Sequence, residues 1–237
     1  MLFGAQVHAA DITLVSAAAV QVPVTELVAQ FEHATGHRVR FKFSTAGGVD
    51  ELMRTGADVD IVINDQARLA TLMSDHSIPA APVRSLGVVQ IGVAVRRGGT
   101  RPDLSSAETF RAALLKAQSV AYGDPQKGAT TGVHFAKILA QLGLTDAIKP
   151  IELLAPNGLA VMHMVSSGIA EIGITQISEI LHIQPDTLVG PLPESLQLNT
   201  TYAVTFGKSN AAIPAQQFVE LLLSAEGRRL FSQAGFR

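Results

Sequence analysis

The chain has 237 residues with a formal net charge of -2, 47% hydrophobic residues, 16% charged residues and no cysteine or tryptophan. Such a chain lacks the basic surface that nucleic acid or an anionic membrane would require, and it offers neither a thiol nucleophile nor a cysteine-bound metal. Its length allows one large domain or two lobes of about a hundred residues each.

The first nine residues, MLFGAQVHA, resemble the end of a secretory signal with a small-residue cleavage site after Ala9. Residues 1–9 are therefore set apart from the fold as a signal-peptide remnant, and a periplasmic location is predicted. An ordinary unstructured start is the alternative, because the segment has no basic n-region and no full apolar h-region.

The first third of the chain alternates short apolar strands with helices. The pattern predicts strands at 11–16, 38–43 and 60–63 and helices at 24–35, 49–54 and 67–74. Apolar residues recur at helical spacing in the first helix, and Gly36 is expected to end it. This alternation is typical of βαβ units with a largely parallel sheet.

A long extended run at 83–96 contains no helix and is followed by a second set of βα units. These comprise helices at 107–118, 131–142 and 158–166 and strands at 119–122, 151–154 and 171–174. Another extended run at 198–206 precedes two helices at 215–224 and 225–234. Two lobes joined by two extended crossings are therefore predicted, with residues 10–88 and 204–237 in lobe 1 and residues 89–203 in lobe 2.

The segment Gly123–Lys137, GDPQKGATTGVHFAK, is predicted to lead from a strand through a glycine-containing loop into a helix that begins at Thr130 and Thr131. A helix start of this kind presents free N–H groups, hydroxyls and the positive end of the helix dipole. It favours a small anion.

Taken in order, the segments SAAA, FSTAGG, DIVI, GDP with a Gly/Thr-rich helix start, AQLGL, EIGI and a C-terminal helix ending in GF resemble the periplasmic molybdate-binding proteins. The resemblance covers nearly all of residues 11–237 and lies in the order of the segments rather than in one motif. It implies the type 2 periplasmic-binding-protein fold, in which two α/β lobes, each with a mixed and mainly parallel sheet, close on an oxyanion. It also implies an ABC-transporter permease as partner, and the chain is predicted to be a monomer.

The positions that would hold molybdate differ in this chain. The resemblance places Ala19 and Ala46 where the family has serines and Gln176 where it has a binding tyrosine, while Thr131 and His134 replace an alanine and a second tyrosine. Three hydroxyl donors are missing, which argues for a different anion such as a di- or tricarboxylate. The predicted ligand-binding residues are Ala18, Ala19, Ser44, Thr45, Ala46, Gly47, Lys127, Thr130, Thr131, Asn157, Gly158 and Gln176.

Two functions are therefore predicted. The first is an extracytoplasmic solute-binding protein for a small anion, without a cofactor. The alternative is a cofactor-free isomerase on the same scaffold, because the molybdate-binding-like group also includes aconitate isomerase, which shifts an allylic proton. His134 is the candidate base for that reaction.

Each candidate side chain also has a plain structural interpretation. His134 could be a packing histidine, Lys127 an exposed loop lysine and Gln176 a capping residue, while Asp50 and Glu179 are expected to be solvated or capping carboxylates. The histidines lack metal-ligand spacing, so no metal site is predicted. The glycine loop matches neither a Walker loop nor a dinucleotide fingerprint, and no GxSxG motif is present.

Overall fold

The computed structural model describes residues 9–208 and 212–237, so the predicted signal remnant lies outside the described residues except for Ala9. The strands are β1 Asp11–Ala17, β2 Arg38–Ser44, β3 Ile61–Asp65, β4 Arg84–Val95, β5 Val120–Gly123, β6 Glu152–Ala155, β7 Ile172–Gln176, β8 Leu188–Pro191 and β9 Asn199–Phe206. The helices are α1 Gln21–Thr35, α2 Ala46–Arg54, α3 Gln66–Ser74, α4 Ala107–Lys116, α5 Thr130–Gln141, α6 Thr145–Ile148, α7 Gly158–Ser166, α8 Ile177–Ile183, α9 Ile213–Leu223 and α10 Ala225–Gln233. None of the described helices is long and apolar enough to span a bilayer.

The strands form a mixed sheet in the order β2-β1-β3-β9-β4-β7-β5-β6, and β8 pairs with β4. Strand β1 runs parallel to β2 and β3, and β5 runs parallel to β6 and β7, as the alternating pattern predicted. The long strands β4 and β9 pair with their neighbours in antiparallel fashion. Because the carboxyl ends of parallel strands meet at one edge of a sheet, each parallel group presents its following loops together.

Strand β4 is shared between the two lobes. Its residues up to Gln90 pair with β9, whereas those from Ile91 onward pair with β7. At the change of partner the Gln197 amide accepts from the Ile91 N–H and donates to the Ile91 carbonyl, both at 3.0 Å. The two predicted crossings are thus an antiparallel pair of strands, and the exact boundaries proposed after residues 88 and 203 stay a prediction.

Each lobe has its own apolar core. In lobe 1 the buried side chains on β1, β3 and β9 pack against α1 and α9, with Phe31 and Phe218 in an edge-to-face contact. In lobe 2 the corresponding core contains Phe110 and Phe135, which are fully buried. Separate cores leave the space between the lobes free to hold a ligand.

The structure confirms the predicted two-lobed α/β fold and adds elements that the sequence pattern did not predict. Helix α8 follows β7 directly, and strand β8 lies after it. Both are short, and four-residue or seven-residue elements carry too little periodicity to be read from sequence. Helix α8 nevertheless matters most for the site, because its first turn faces the other lobe.

Candidate anion-binding site

A cavity lies between the lobes, at the carboxyl ends of β1, β2, β5 and β7. Its free volume is about 30 Å³, comparable to the share of one water molecule in liquid water. The cavity is therefore small. Its lining residues are Ala17, Ala18, Ala19, Ser44, Thr45, Ala46, Ala129, Thr130, Thr131, Asn157, Gly158, Gln176, Glu179 and Tyr202.

Three helices of nine residues or more begin at this cavity. They differ in whether a side chain accepts a hydrogen bond from an N–H group of the first turn. The Thr45 hydroxyl caps α2 by accepting from the Gly48 N–H at 3.0 Å, and the Asn157 side chain caps α7 by accepting from the Ala160 N–H at 2.9 Å. Helix α5 has Ala129 at its N-cap and no side-chain cap. The N–H groups at the start of α5 are therefore the ones available to an anion.

Two buried polar atoms of the lining have no hydrogen-bond partner. They are Oγ1 of Thr130, at the start of α5, and Oε1 of Gln176, at the end of β7. The other amide atom of Gln176 makes only long contacts of 3.5 Å to the hydroxyls of Thr200 and Tyr202. Buried polar atoms in native proteins nearly always have a partner, so both atoms are expected to meet a ligand or a water molecule.

Glu179 is a buried carboxylate in the cavity wall. It is 5% exposed, and it accepts hydrogen bonds from the Thr175 hydroxyl and from the Gln176 N–H, the latter at 3.3 Å. Burial raises the pKa of Glu179 to about 7, because the charged form loses its hydration, and the two hydrogen bonds offset this only in part. Glu179 can therefore exchange a proton near neutral pH.

Glycine is required opposite this carboxylate. A Cβ added to Gly158 would lie 1.9 Å from Oε2 of Glu179 and 2.1 Å from the Thr175 hydroxyl. The start of α7 thus lies directly against the Glu179 side chain. The expectation that Glu179 would cap a helix is confirmed, but the expectation that it would be solvated is wrong.

Tyr202 supplies a hydroxyl to the cavity from β9. The side chain is 2% exposed, and burial together with the nearby charges of Glu179 and Asp65 raises its pKa. The phenol therefore remains neutral at physiological pH. It restores one hydroxyl close to Gln176, the position at which the resemblance expects a tyrosine.

Hydrogen bonds join the lobes across the cleft. The Thr45 hydroxyl donates to the Lys127 carbonyl at 2.6 Å, the Gly47 N–H donates to the Gly128 carbonyl at 3.0 Å, and the Ser178 hydroxyl donates to the Ala19 carbonyl at 2.8 Å. A Cβ on Gly47 would lie 2.7 Å from the Gly128 Cα, so two glycines allow this approach. These contacts hold the two lobes together across the cleft.

Most of the predicted binding residues line the cavity together. The exceptions are Gly47 and Lys127, which lie at the cross-cleft contacts, where Lys127 is exposed and uses its carbonyl rather than its ammonium group. The ring of His134 contacts the Leu196 carbonyl at 2.8 Å and is not part of the lining. Asp50 is buried, accepts from the Asn64 amide and pairs with Arg68 at 2.5 Å, so the expectation of a solvated or capping carboxylate is wrong for this residue.

Sequence reasoning missed Ala17, Ala129, Glu179 and Tyr202 as lining residues. A signal for Glu179 was present, because an acidic residue three positions after Gln176 matches a capping box at a helix start. The position of Tyr202 depends on how β9 pairs with β3 and β4, which no local pattern specifies.

The lining contains no lysine, arginine or histidine. An anion held here would be stabilised by helix N-termini, hydroxyls and amides rather than by a cationic side chain. Among the described residues there is also no group of three or more histidine, aspartate or glutamate side chains placed to hold a metal ion.

Residues 12–237 match the family described as bacterial extracellular solute-binding protein. The chain belongs to this family. It is 25% identical to an aconitate isomerase from a Pseudomonas species over 95% of this chain and 87% of that protein. It is 26% identical to a molybdate-binding protein from Azotobacter vinelandii over 99% of this chain and 93% of the relative.

Solved structures agree with this assignment at the level of the fold. The periplasmic molybdate-binding protein of Azotobacter vinelandii superposes with a TM-score of 0.75 at 18% identity, covering 95% of this chain and 98% of the other. Family membership and fold therefore support an extracytoplasmic solute-binding scaffold.

Proposed function

We propose that the protein binds a small carboxylate-bearing anion, a di- or tricarboxylate rather than molybdate, between its two lobes in the periplasm. The observation that carries this proposal is the uncapped start of α5, where the Thr130 hydroxyl is buried without a partner. An anion would satisfy both the free N–H groups and this hydroxyl. Two further helix starts, those of α2 and α7, face the same cavity.

The side chains of the lining argue against molybdate. Where the resembled family offers hydroxyls, this chain has Ala19, Ala46 and Gln176. A hydrogen bond to a charged group is worth about 1.5–3 kcal/mol, so losing several of them would weaken molybdate binding by orders of magnitude. The Tyr202 hydroxyl compensates for only one of these losses.

The relatives support an anion but differ in its chemistry. One relative is named for aconitate, a tricarboxylate, and another for molybdate, a tetrahedral oxyanion. The free volume of about 30 Å³ is small for a whole tricarboxylate. Such a ligand would be bound with the lobes further apart, one carboxylate group lying at the start of α5. An ABC-transporter permease would then receive the loaded protein.

The proposal is tested by titrating the purified protein with a panel of molybdate, sulfate, phosphate and di- and tricarboxylates, using calorimetry and thermal unfolding. A carboxylate present at a hundred times its dissociation constant should stabilise the protein by about 2.7 kcal/mol, and molybdate should have no effect. Stabilisation by molybdate alone would contradict the carboxylate assignment. A correctly folded protein that binds no member of the panel would contradict the proposed function as a whole.

A second candidate function is the cofactor-free isomerase, and the buried Glu179 carboxylate favours it. One carboxylate oxygen would remove a proton from the methylene carbon of trans-aconitate, and the double bond would shift along the allylic system. The carboxylic acid formed in this step would exchange its proton with solvent and then protonate the other end to give cis-aconitate. The start of α5 would stabilise the negative charge that develops on the substrate carboxylate. Glu179 is a better placed base than His134, whose ring contacts the Leu196 carbonyl.

Incubation with trans-aconitate in deuterated water tests this second function. The isomerase predicts formation of cis-aconitate with deuterium at carbon, and Glu179→Gln should abolish both. Loss of turnover in His134→Ala with full turnover in Glu179→Gln would return the role of base to His134. Absence of both product and exchange in the unmodified protein would leave binding as its function.

A further inference from the structure

We propose that Glu179 shares a proton with the bound anion, so that binding takes up one proton unless the ligand brings a hydrogen-bond donor of its own. This inference rests on the proposed binding function, since it concerns the same cavity. It identifies the preferred ligands as hydroxycarboxylates or partly protonated anions, and it names the residue that selects them.

The geometry places an acceptor pair at one end of the site. The Glu179 carboxylate accepts from the backbone N–H of Gln176, and both side chains line the cavity. Oε1 of Gln176 is a buried acceptor that has no partner. Both side chains are at least nine-tenths buried, at 5% and 2% exposure. The hydrogen bonds recorded for Glu179 come from Thr175 and from the Gln176 N–H, and no cation contacts it within the described residues. A ligand that reaches this end meets a carboxylate and an amide oxygen as well as the Tyr202 hydroxyl.

An ionised Glu179 next to a bound anion would repel it strongly, because the buried carboxylate has little water around it to screen the two charges. A single proton between the two groups converts this repulsion into a charge-assisted hydrogen bond. The proton can come from solvent and sit on Glu179, or it can belong to a ligand hydroxyl that donates to the ionised carboxylate. Fully ionised anions without a hydroxyl, such as sulfate and molybdate, have only the first route.

The side chains that face Glu179 are neutral, so Glu179 itself is the residue whose charge changes. Tyr202 faces it from β9 and stays neutral, because burial raises the pKa of its phenol. The charges of Asp65 and Arg68 act on the Tyr202 phenol in opposite directions, Asp65 raising its pKa and Arg68 lowering it. The facing residues on the other packed elements, Thr175, Asn157, Gly158, Thr130 and Thr131, carry no charge, and His182 on α8 is exposed. Burial raises the pKa of Glu179 to about 7, so the coupling would operate at physiological pH.

Matched ligand pairs that differ by one hydroxyl test the inference in the full chain. Succinate is compared with malate, and tricarballylate with citrate, by calorimetry between pH 6 and pH 9. For the hydroxyl-free member, the dissociation constant should rise about tenfold per pH unit above the pKa of Glu179, as expected for uptake of one proton. The hydroxyl-bearing member should show a flat profile. Repeating the titrations in Hepes and in Tris, which differ in ionisation enthalpy, counts the protons directly.

Glu179→Gln should remove the pH dependence of the hydroxyl-free member and leave the hydroxyl-bearing member flat, since the amide is always neutral and can always donate. His182→Gln, on the same helix but exposed, is the matched control and should keep it. Flat profiles for every ligand in the unmodified protein, or an unchanged slope in Glu179→Gln, would overturn the inference while leaving anion binding intact. Failure of all these ligands to bind at pH 6 would contradict the proposed function and this coupling together. Thermal unfolding of each variant confirms that it is folded.

Discussion

The two walls of the cleft are built from the same kind of element, a helix start after a strand. Their polar side chains differ in whether they have hydrogen-bond partners within the protein. In the lobe 1 wall the Thr45 hydroxyl both caps α2 and bonds the Lys127 carbonyl. In the lobe 2 wall the Thr130 hydroxyl and Oε1 of Gln176 have no partner, and a carboxylate is buried beside them. Lobe 1 therefore contributes mainly contacts that hold the two lobes together, whereas lobe 2 holds the groups that would determine which ligand binds.

The two walls also differ in the charge that they bring to the cavity. The lobe 1 residues of the lining offer only neutral groups, namely backbone N–H groups and hydroxyls. The lobe 2 wall adds Glu179, the one carboxylate in the lining. A site built from donors alone accepts any small anion of suitable size, whereas a carboxylate at one end penalises those that lack a proton to share. Substitutions in the two walls should therefore have different consequences.

The largest effect is expected for Gly158→Ala in the lobe 2 wall. The added Cβ would meet the Glu179 carboxylate at 1.9 Å and the Thr175 hydroxyl at 2.1 Å, and neither group is free to move because both are buried. Overpacking of this kind costs about 3 kcal/mol. Urea unfolding measures the loss, which opposes the usual gain from replacing glycine by alanine in a helix.

Gly190→Ala is the matched control for this substitution, because its added Cβ would have its nearest neighbour at 3.7 Å. Its unfolding free energy should stay within about 0.5 kcal/mol of the unmodified protein. Equal stability of Gly158→Ala and Gly190→Ala would show that the carboxylate does not lie against the start of α7.

Thr130→Val should separate binding from stability. Because the Thr130 hydroxyl has no partner in the protein, its removal should leave the free energy of unfolding unchanged or slightly increased. Ligand affinity should fall by about 1.5–3 kcal/mol, which is more than tenfold, if the hydroxyl binds the anion. Calorimetry and urea unfolding measure the two quantities. A destabilised variant with unchanged affinity would contradict the assigned role.

The pH dependence of stability should come from the lobe 2 wall. The pKa of Glu179 is raised from 4.5 to about 7 in the folded protein, so between these values the folded state keeps a proton that the unfolded state has lost. The free energy of unfolding should therefore fall as pH rises from about 5 to about 8, by up to about 1.4 kcal/mol per pH unit. Urea unfolding at several pH values should show this slope, and Glu179→Gln should lack it.

The smallest effect is expected in the lobe 1 wall. Thr45→Ala removes the cap of α2 and should lower the free energy of unfolding by about 1 kcal/mol. It also removes the hydroxyl that bonds the Lys127 carbonyl across the cleft. Ligand affinity should fall less in Thr45→Ala than in Thr130→Val. A larger loss of affinity in Thr45→Ala would show that lobe 1 determines which ligand binds.

The amino-acid sequence by itself determined the alternation of strands and helices, the two extended crossings and the helix start at Thr130. These features depend on residues close together in the chain, through apolar periodicity, glycine punctuation and capping, and the structure agrees with them. The resemblance then indicated most of the residues that line the cavity. It did so because the lining comes from strand ends, whose positions follow from the element order.

Only the tertiary structure decided which polar groups remain unsatisfied. Glu179 is buried because Gly158, at the start of α7, and Thr175 pack against it. The ring of His134 contacts the Leu196 carbonyl and does not line the cavity. Partners of this kind lie far apart in the chain or belong to different strands and helices. The burial of a charge depends on such distant neighbours, because hydration is lost only when several elements pack around it.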